Sequence, residues 1–352
     1  MSPELIALEN LARGIAIGAL VALAAGLWSG GAKGPARLAG LLFCAAVIAY
    51  AINSSPQLTQ ALGPAMPPIH FAALGGTGLF WLFIVALFED RAVNARTLAP
   101  WGLLTAVGLV GATAPRPLAN QVWLLHNLVE AGFAAHALYV IWSSWRGDLV
   151  EARRRLRGPF LAVVTLYVMT LSAFEIAEGL GFFRDWFRLL GGASLALYCS
   201  AGAAVFLQAR AALFGAAAPA PATPTTHDAL DAGDRQMMAR LDDLMDKQEI
   251  WRREGLTIGA LAEEMGAPEH RLRRLINDQL GHRNFAAFVN ARRIEAAKEM
   301  LRDPDKARQT VAVIAYDLGF GSLGPFNRAF KETTGVTPTE YRRSPMSDKP
   351  NA

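Results

Sequence analysis

The chain has 352 residues, 34 Lys/Arg against 30 Asp/Glu for a formal charge of +4, and 53% hydrophobic residues. That length suits two domains at roughly 100–200 residues each. Its two cysteines, Cys44 and Cys199, sit inside apolar runs without CxxC spacing, which excludes a disulfide framework and a zinc ribbon and leaves buried free thiols as the expectation. The average hides a division. Residues 1–214 carry 14 Lys/Arg and 10 Asp/Glu, whereas the much shorter stretch 234–352 carries 20 and 18, and seven of the eight Trp lie at or before Trp186.

A bilayer core needs about 20 mainly apolar residues per helix. Seven stretches meet that need: 5–28, 37–54, 69–88, 98–114, 120–142, 159–180 and 187–208. Trp28, Trp101, Trp123, Trp142, Trp145 and Trp186 mark their boundaries, as expected of rings that sit at the headgroup level. Glu4 and Glu9 stand where a signal peptide carries basic residues, so the first span is expected to be retained. The first, third and fifth connections hold nine Lys/Arg (Lys33, Arg37, Arg91, Arg96, Arg146, Arg153, Arg154, Arg155, Arg157) against three in the others (Arg116, Arg184, Arg188). The bias predicts a multi-pass protein of the bacterial inner membrane, with the N-terminus outside and everything after residue 208 in the cytoplasm.

Ionisable groups inside spans are costly and mark functional candidates. His70, His126, Glu130, Glu175 and Glu178 gather toward the outer side in this topology, with His126 and Glu130 one turn apart on one helix face. They are candidates for a site open to a small polar ligand, an ion or protons. The alternative is that they only pair between helices, as Glu9 with Arg13 is expected to do. His-x-x-x-Glu has usable ligand spacing, but no third ligand is evident and His136 faces elsewhere, so no metal is expected.

Residues 215–233 form a linker; its stretch GAAAPAPATPTT, with Pro219, Pro221 and Pro224, ends the last span and favours an extended spacer. From Asp234 an amphipathic helix carries Met238, Leu241, Leu244 and Met245 on one stripe. It suits docking on the following domain or pairing of two chains. Then Leu256–Met265 reads as a helix capped by Thr257, Gly266 as a turn, and PEHRLRRLINDQL as a second helix burying Leu272, Leu275 and Ile276. The pattern recurs as Thr310–Leu318, the turn Gly319-Phe320-Gly321, and a helix capped by Ser322 that runs LGPFNRAFKETT to Gly335. Between the two units, 285–302 is one long helix with Phe288, Ile294, Ala297 and Leu301 on its apolar side. Phe320, Phe326, Phe330 and Tyr341 fall where they would hold the units together, and His227 and His282 read as surface residues. Residues 268–343 carry 14 Lys/Arg and 9 Asp/Glu, a modest excess that suits phosphate contact.

These residues resemble the AraC/XylS family. The second unit carries Ile314-Ala315, Gly319-Phe320, Phe326-Asn327-Arg328-Ala329-Phe330-Lys331, Gly335-Val336-Thr337-Pro338 and Tyr341-Arg342. The first carries Leu256-Thr257, Leu261-Ala262 and Leu272-x-Arg274-x-Ile276. The resemblance covers about 100 residues and none of the apolar half. It implies two recognition helices entering successive major grooves of double-stranded promoter DNA. Base-facing positions would then be His270, Arg273 and Arg274 in the first helix, and Leu323, Gly324, Asn327 and Arg328 in the second. Lys331, Arg342 and Arg343 are candidate phosphate contacts. Leu323-Gly324-Pro325 departs from the more polar residues usual there, which implies fewer base contacts and more reliance on shape.

The expected architecture is all-α: a seven-span transmembrane bundle (1–214), the linker (215–233), and an AraC-type domain of two helix-turn-helix units (234–352). No catalytic constellation or cofactor motif appears. The expected function is a membrane-bound regulator of transcription that responds to a small-molecule or ion signal, with a homodimer as a candidate assembly. Two alternatives stay open: spans that only tether the DNA-binding part, and a transporter-like module fused to it.

Overall fold

A computed structural model describes residues 2–29, 34–179, 186–214 and 232–343. Among them the chain is all-helical, with no strand and one isolated β-bridge. It divides into two compact units, Met1–Trp145 with Glu151–Ala220, and Arg146–Val150 with Pro221–Ala352. The linker lies mostly outside the described residues.

The first unit contains α1 (Pro3–Ser29), α2 (Pro35–Asn53), α3 (Pro56–Leu62), α4 (Met66–Leu74), α5 (Gly76–Phe88), α6 (Ala95–Thr113), α7 (Leu118–Ser143), α8 (Glu151–Gly179) and α9 (Trp186–Phe214). Starts are well signalled: Pro opens α2, α3 and α4, and Asn94 with Thr97 forms a reciprocal capping box at α6. The axis of the unit is α5, whose residues Trp81–Phe88 are all buried against α2, α6 and α7. Aromatic rings tie it outward, with Phe83 5.4 Å from Phe206 and 6.0 Å from Phe43.

A helix stands at each of the seven expected places, but they are not equivalent. Among the described residues α1, α2, α7 and Phe187–Leu207 of α9 are long and apolar enough to cross a membrane. The run Pro56–Leu74 with Gly76–Phe88 makes a fifth if this pair, bent by 46°, is one span. The expected span over 69–88 is therefore broken at Gly75. A Cβ there would lie 2.3 Å from Trp101 Cδ1 and 2.6 Å from Thr105 Oγ1, and one at Gly78 would lie 2.5 Å from the Trp101 amide nitrogen. Close approach of α6 thus demands glycine at the bend and again three residues after it. α6 contains Arg96, three threonines and Pro100 and does not reach the same apolarity.

The second unit holds α10 (Ala232–Asp242), α11 (Ile258–Met265), α12 (Glu269–Asp278), α13 (Phe285–Arg302), α14 (Val311–Asp317), α15 (Leu323–Thr334) and α16 (Pro338–Arg343). One core joins them, with Leu261, Leu272, Ile276, Ile294, Ile314, Phe326 and Phe330 fully buried. Met237, Met238, Leu241, Leu244 and Met245 belong to that core, so the stripe that starts at Asp234 docks on its own domain. Thr257 and Thr310 cap α11 and α14 through Ala260 N and Val313 N. Ser322 occupies the N-cap of α15 but its side chain makes no capping bond, unlike the sequence expectation.

Five arginines are buried among the described residues, and each donates to backbone carbonyls. Arg13 reaches Ala51 O at the end of α2, Arg153 reaches Leu87 O in α5, and Arg157 reaches Ile141 O in α7, at 3.1, 2.9 and 2.7 Å. In the second unit Arg293 donates to Trp251 O and Arg253 O at 2.7 and 2.9 Å and lies over the Phe320 ring. Arg273, the fifth, donates to Asp148 O and Arg146 O. Helix ends leave carbonyls without intrahelical partners, and a planar guanidinium can satisfy two groups at once. Arg153 and Arg157, counted above as connection charges, lie inside α8 and cap its neighbours.

The turn before α15 depends on Gly319, at φ +80°, where a Cβ would come within 2.2 Å of Arg252 O and 2.9 Å of Arg293 Nη2. Gly319→Ala is expected to lower stability by at least about 1–3 kcal/mol, read from the midpoint of thermal unfolding of the purified protein.

Candidate nucleic-acid interface

Two helix–glycine turn–helix pairs, α11/α12 and α14/α15, flank α13. Gly266 ends α11 in the left-handed conformation, with its amide on Ala262 O and Glu263 O, which redirects the chain into α12. Leu272, Leu275 and Ile276 face the core, which turns His270 and Arg274 outward. Arg274 is 61% exposed and sits 3.8 Å from the Asp234 carboxylate, while Arg271 pairs with the same carboxylate at 2.8 Å. The start of α10 thereby orients two arginines of α12.

Arg273 departs from the expectation that it faces base edges. It is 5% exposed, its Nε donates to Glu269 Oε1 at 2.9 Å, and its Nη1 and Nη2 donate to Asp148 O and Arg146 O at 2.7 and 3.1 Å. Helical spacing put it beside Arg274, but its guanidinium is taken up by the segment 146–150, far away in sequence.

On α15, Phe326 and Phe330 point inward and leave Leu323, Gly324, Asn327, Arg328 and Lys331 exposed. Arg342 is half-buried and donates from Nη1 to Gln309 O at 2.7 Å, which ties α16 to the segment before α14. That bond directs part of its guanidinium inward, whereas Arg343 is exposed. Gly324 has open space where a Cβ would stand. Gly324→Ala is therefore expected to raise stability by up to about 1 kcal/mol, measured by thermal unfolding.

In the first unit the break between α4 and α5 gathers a polar group. His126, 5% exposed, places Nε2 3.2 Å from Leu74 O and Nδ1 3.8 Å from Glu130 Oε2. Thr77 donates to Glu130 Oε1 at 2.9 Å. His126 Nδ1 and Thr105 Oγ1 are buried without hydrogen-bond partners. His70 is exposed on α4, and the side chains of Glu175 and Glu178 lie outside the described residues. His136 accepts from Trp81 Nε1 at 2.9 Å. Sequence spacing found the His126–Glu130 pair but missed Thr77 and Leu74 O, because the bend that brings them there is tertiary.

Residues 261–344 match a family model described as a helix-turn-helix domain. The C-terminal segment carries an AraC-type helix-turn-helix domain. An HTH-type transcriptional regulator of Staphylococcus aureus strain MSSA476 is 35% identical over 103 residues, 29% of this chain and 13% of its own length. The transcriptional activator RhrA of Rhizobium meliloti strain 1021 is 37% identical over 59 residues, 17% of this chain and 18% of its own. The chain thus spans well under a quarter of the length of these relatives. No solved structure matches it.

Two residues of the AraC-type domain escaped the sequence reading. Arg293 lies on the buried side of α13, and burial lowers its pKa while Glu254 works against that shift. His282 is half-buried against Phe288, 5.4 Å between rings, and is no plain surface residue. Burial, then the nearby Arg292, lowers its pKa. A base with a depressed folded-state pKa binds its proton more readily when unfolded. Its neutral form costs nothing above the unfolded value of about 6.5, and stability falls as pH drops through and below it. His282→Gln is expected to flatten that acid limb in urea unfolding between neutral and mildly acidic pH.

Proposed function

We propose that the protein is a membrane-bound regulator of transcription that binds double-stranded promoter DNA through α12 and α15. The observation that carries this reading is the helix-turn-helix match over 261–344, joined to outward-facing His270 and Arg274 on α12. An arginine at such a position can bond guanine O6 and N7 together. α13 has 18 residues, ~27 Å at 1.5 Å per residue. With its flanking turns that length suits units about 34 Å apart, one turn of DNA. Lys331 and Arg343 serve phosphates, and Leu323, Gly324, Asn327 and Arg328 face base edges, the first two with no hydrogen-bonding side chain to offer. Arg342 is not counted among these contacts, because its Nε and Nη2 are buried.

The seven-span topology belongs to this proposal. The long apolar helices support membrane insertion, and α6 and α8, which stand at two of the expected apolar stretches, are taken as the remaining spans. The excess of Lys/Arg in the odd connections supports a cytoplasmic C-terminus. A sensing role, beyond tethering, is favoured by Thr105 Oγ1 and His126 Nδ1, both buried without hydrogen bonds beside the α4–α5 break. Broken helices of this kind carry polar sites in membranes because freed backbone groups need partners. The signal is then a small polar molecule or an ion, and a homodimer on a two-site operator is the expected assembly.

Arg274→Ala is expected to lose about 1–3 kcal/mol of discrimination at one base position, measured by gel shift across a set of single-base operator variants. Equal weakening on every sequence would reassign Arg274 to the phosphate backbone. Phosphatase and β-galactosidase fusions behind Ala352 should report the cytoplasm; a fusion active outside the cell membrane would overturn the topology.

A further inference from the structure

The second unit includes five residues from far earlier in the chain. Arg146–Val150, which in sequence connect α7 to α8, are built into it. Gly147 O accepts from Phe285 N at 2.8 Å, and Leu149 N donates to Arg283 O at 3.1 Å. Asp148 faces Asn284 in the antiparallel bridge. Leu149 is 2% exposed within the unit's core, and Asp148 is fully buried. Both carbonyls that hold Arg273, those of Arg146 and Asp148, come from this segment. The same five residues thus bond α12, through Arg273, and the start of α13, through Phe285.

We propose that residues 146–150 are an autoinhibitory clamp on the first DNA-reading helix, an inference that rests on the DNA-binding role given above. When the clamp is engaged, Arg273 is withheld from DNA and α12 is pinned to α13. When it leaves, Arg273 loses two charge-assisted bonds to carbonyls and retains Glu269 as its partner. With Glu269 as its one remaining acceptor the guanidinium turns outward, because leaving its other donors buried and unbonded is costly. α12 then offers His270, Arg273 and Arg274 together. The clamp is covalently continuous with the last turn of α7 and the first turn of α8, so a rearrangement of those helices pulls directly on it. No diffusible messenger is needed, and the differential bonding of the two states supplies the coupling.

The test uses the full chain in lipid nanodiscs with a library of random-sequence duplexes as the DNA probe. Gly147→Cys with Asn284→Cys, in a background of Cys44→Ser and Cys199→Ser, places the new thiols where a Cβ on residue 147 lies 3.9 Å from the Asn284 side chain. Oxidation should form the disulfide and weaken DNA binding at least tenfold, and reductant should restore it. A separate variant, Leu149→Asp, puts a carboxylate into the core position of the clamp. It should tighten binding at least tenfold, and adding Arg273→Ala should remove that gain. If the disulfide does not form, if oxidised and reduced chains bind alike, or if the Leu149→Asp gain survives Arg273→Ala, the clamp is refuted while DNA binding stands. If the reduced chain and the Leu149→Asp variant select no duplex at all, the DNA-binding role itself fails and the clamp with it.

Discussion

Buried backbone carbonyls need partners, and in this protein arginine supplies them. Helices that end inside a packed unit leave carbonyls without partners, and water is not at hand to take them. Arg13, Arg153 and Arg157 answer this at the ends of α2, α5 and α7, and Arg273 and Arg293 answer it at irregular segments of the second unit. Lysine, a point charge on a flexible stem, cannot bridge two acceptors in one plane as guanidinium does. The arrangement is selective: Arg157 also lies over the Phe88 ring at 4.4 Å, so the cation sits on an aromatic face as well as on oxygen. Removing one such side chain leaves an unsatisfied acceptor, whose cost exceeds the modest net worth of the bond.

The same need shapes the polar group of the first unit. The bend at Gly75 interrupts a helix and frees Leu74 O, which His126 engages. Glu130 and Thr77 complete a chain of polar atoms running from α7 to α5. A second ionisable group of this unit joins α1 to α9. Glu9 bonds Arg13 and Arg188 and is fully buried, which fastens α1 to α9.

In the second unit a single helix, α13, organises both helix–turn–helix pairs. Its apolar side enters the shared core, and its Arg293 holds the Trp251 and Arg253 carbonyls while lying under the turn that leads to α15. That turn cannot carry a side chain at residue 319. A guanidinium, an aromatic ring and a glycine therefore set the angle at which α15 leaves the core. α12 is held differently, through Arg273 and the carbonyls of Arg146 and Asp148.

Much of this was legible in the sequence because it depends on neighbours along the chain. Apolar runs, threonine caps at Thr257 and Thr310, glycine at Gly266 and Gly319, and the three-and-four spacing of Leu272, Leu275 and Ile276 are local signals, and each element stands where they point. The Phe-x-Arg-x-Phe pattern separated core rings from exposed cations in α15 for the same reason. What remained hidden involved partners far apart in sequence: the inward turn of Arg273, the burial of Arg153 and Arg157, and the bend at Gly75. A charged residue at a helical position reads as solvated until the carbonyl it serves is known, and that carbonyl lies more than a hundred residues away for Arg273. Periodicity and composition determine which helices form and which side each one buries. Tertiary packing decides which cations are left to face outward, because only the assembled units reveal where unpaired backbone oxygens fall.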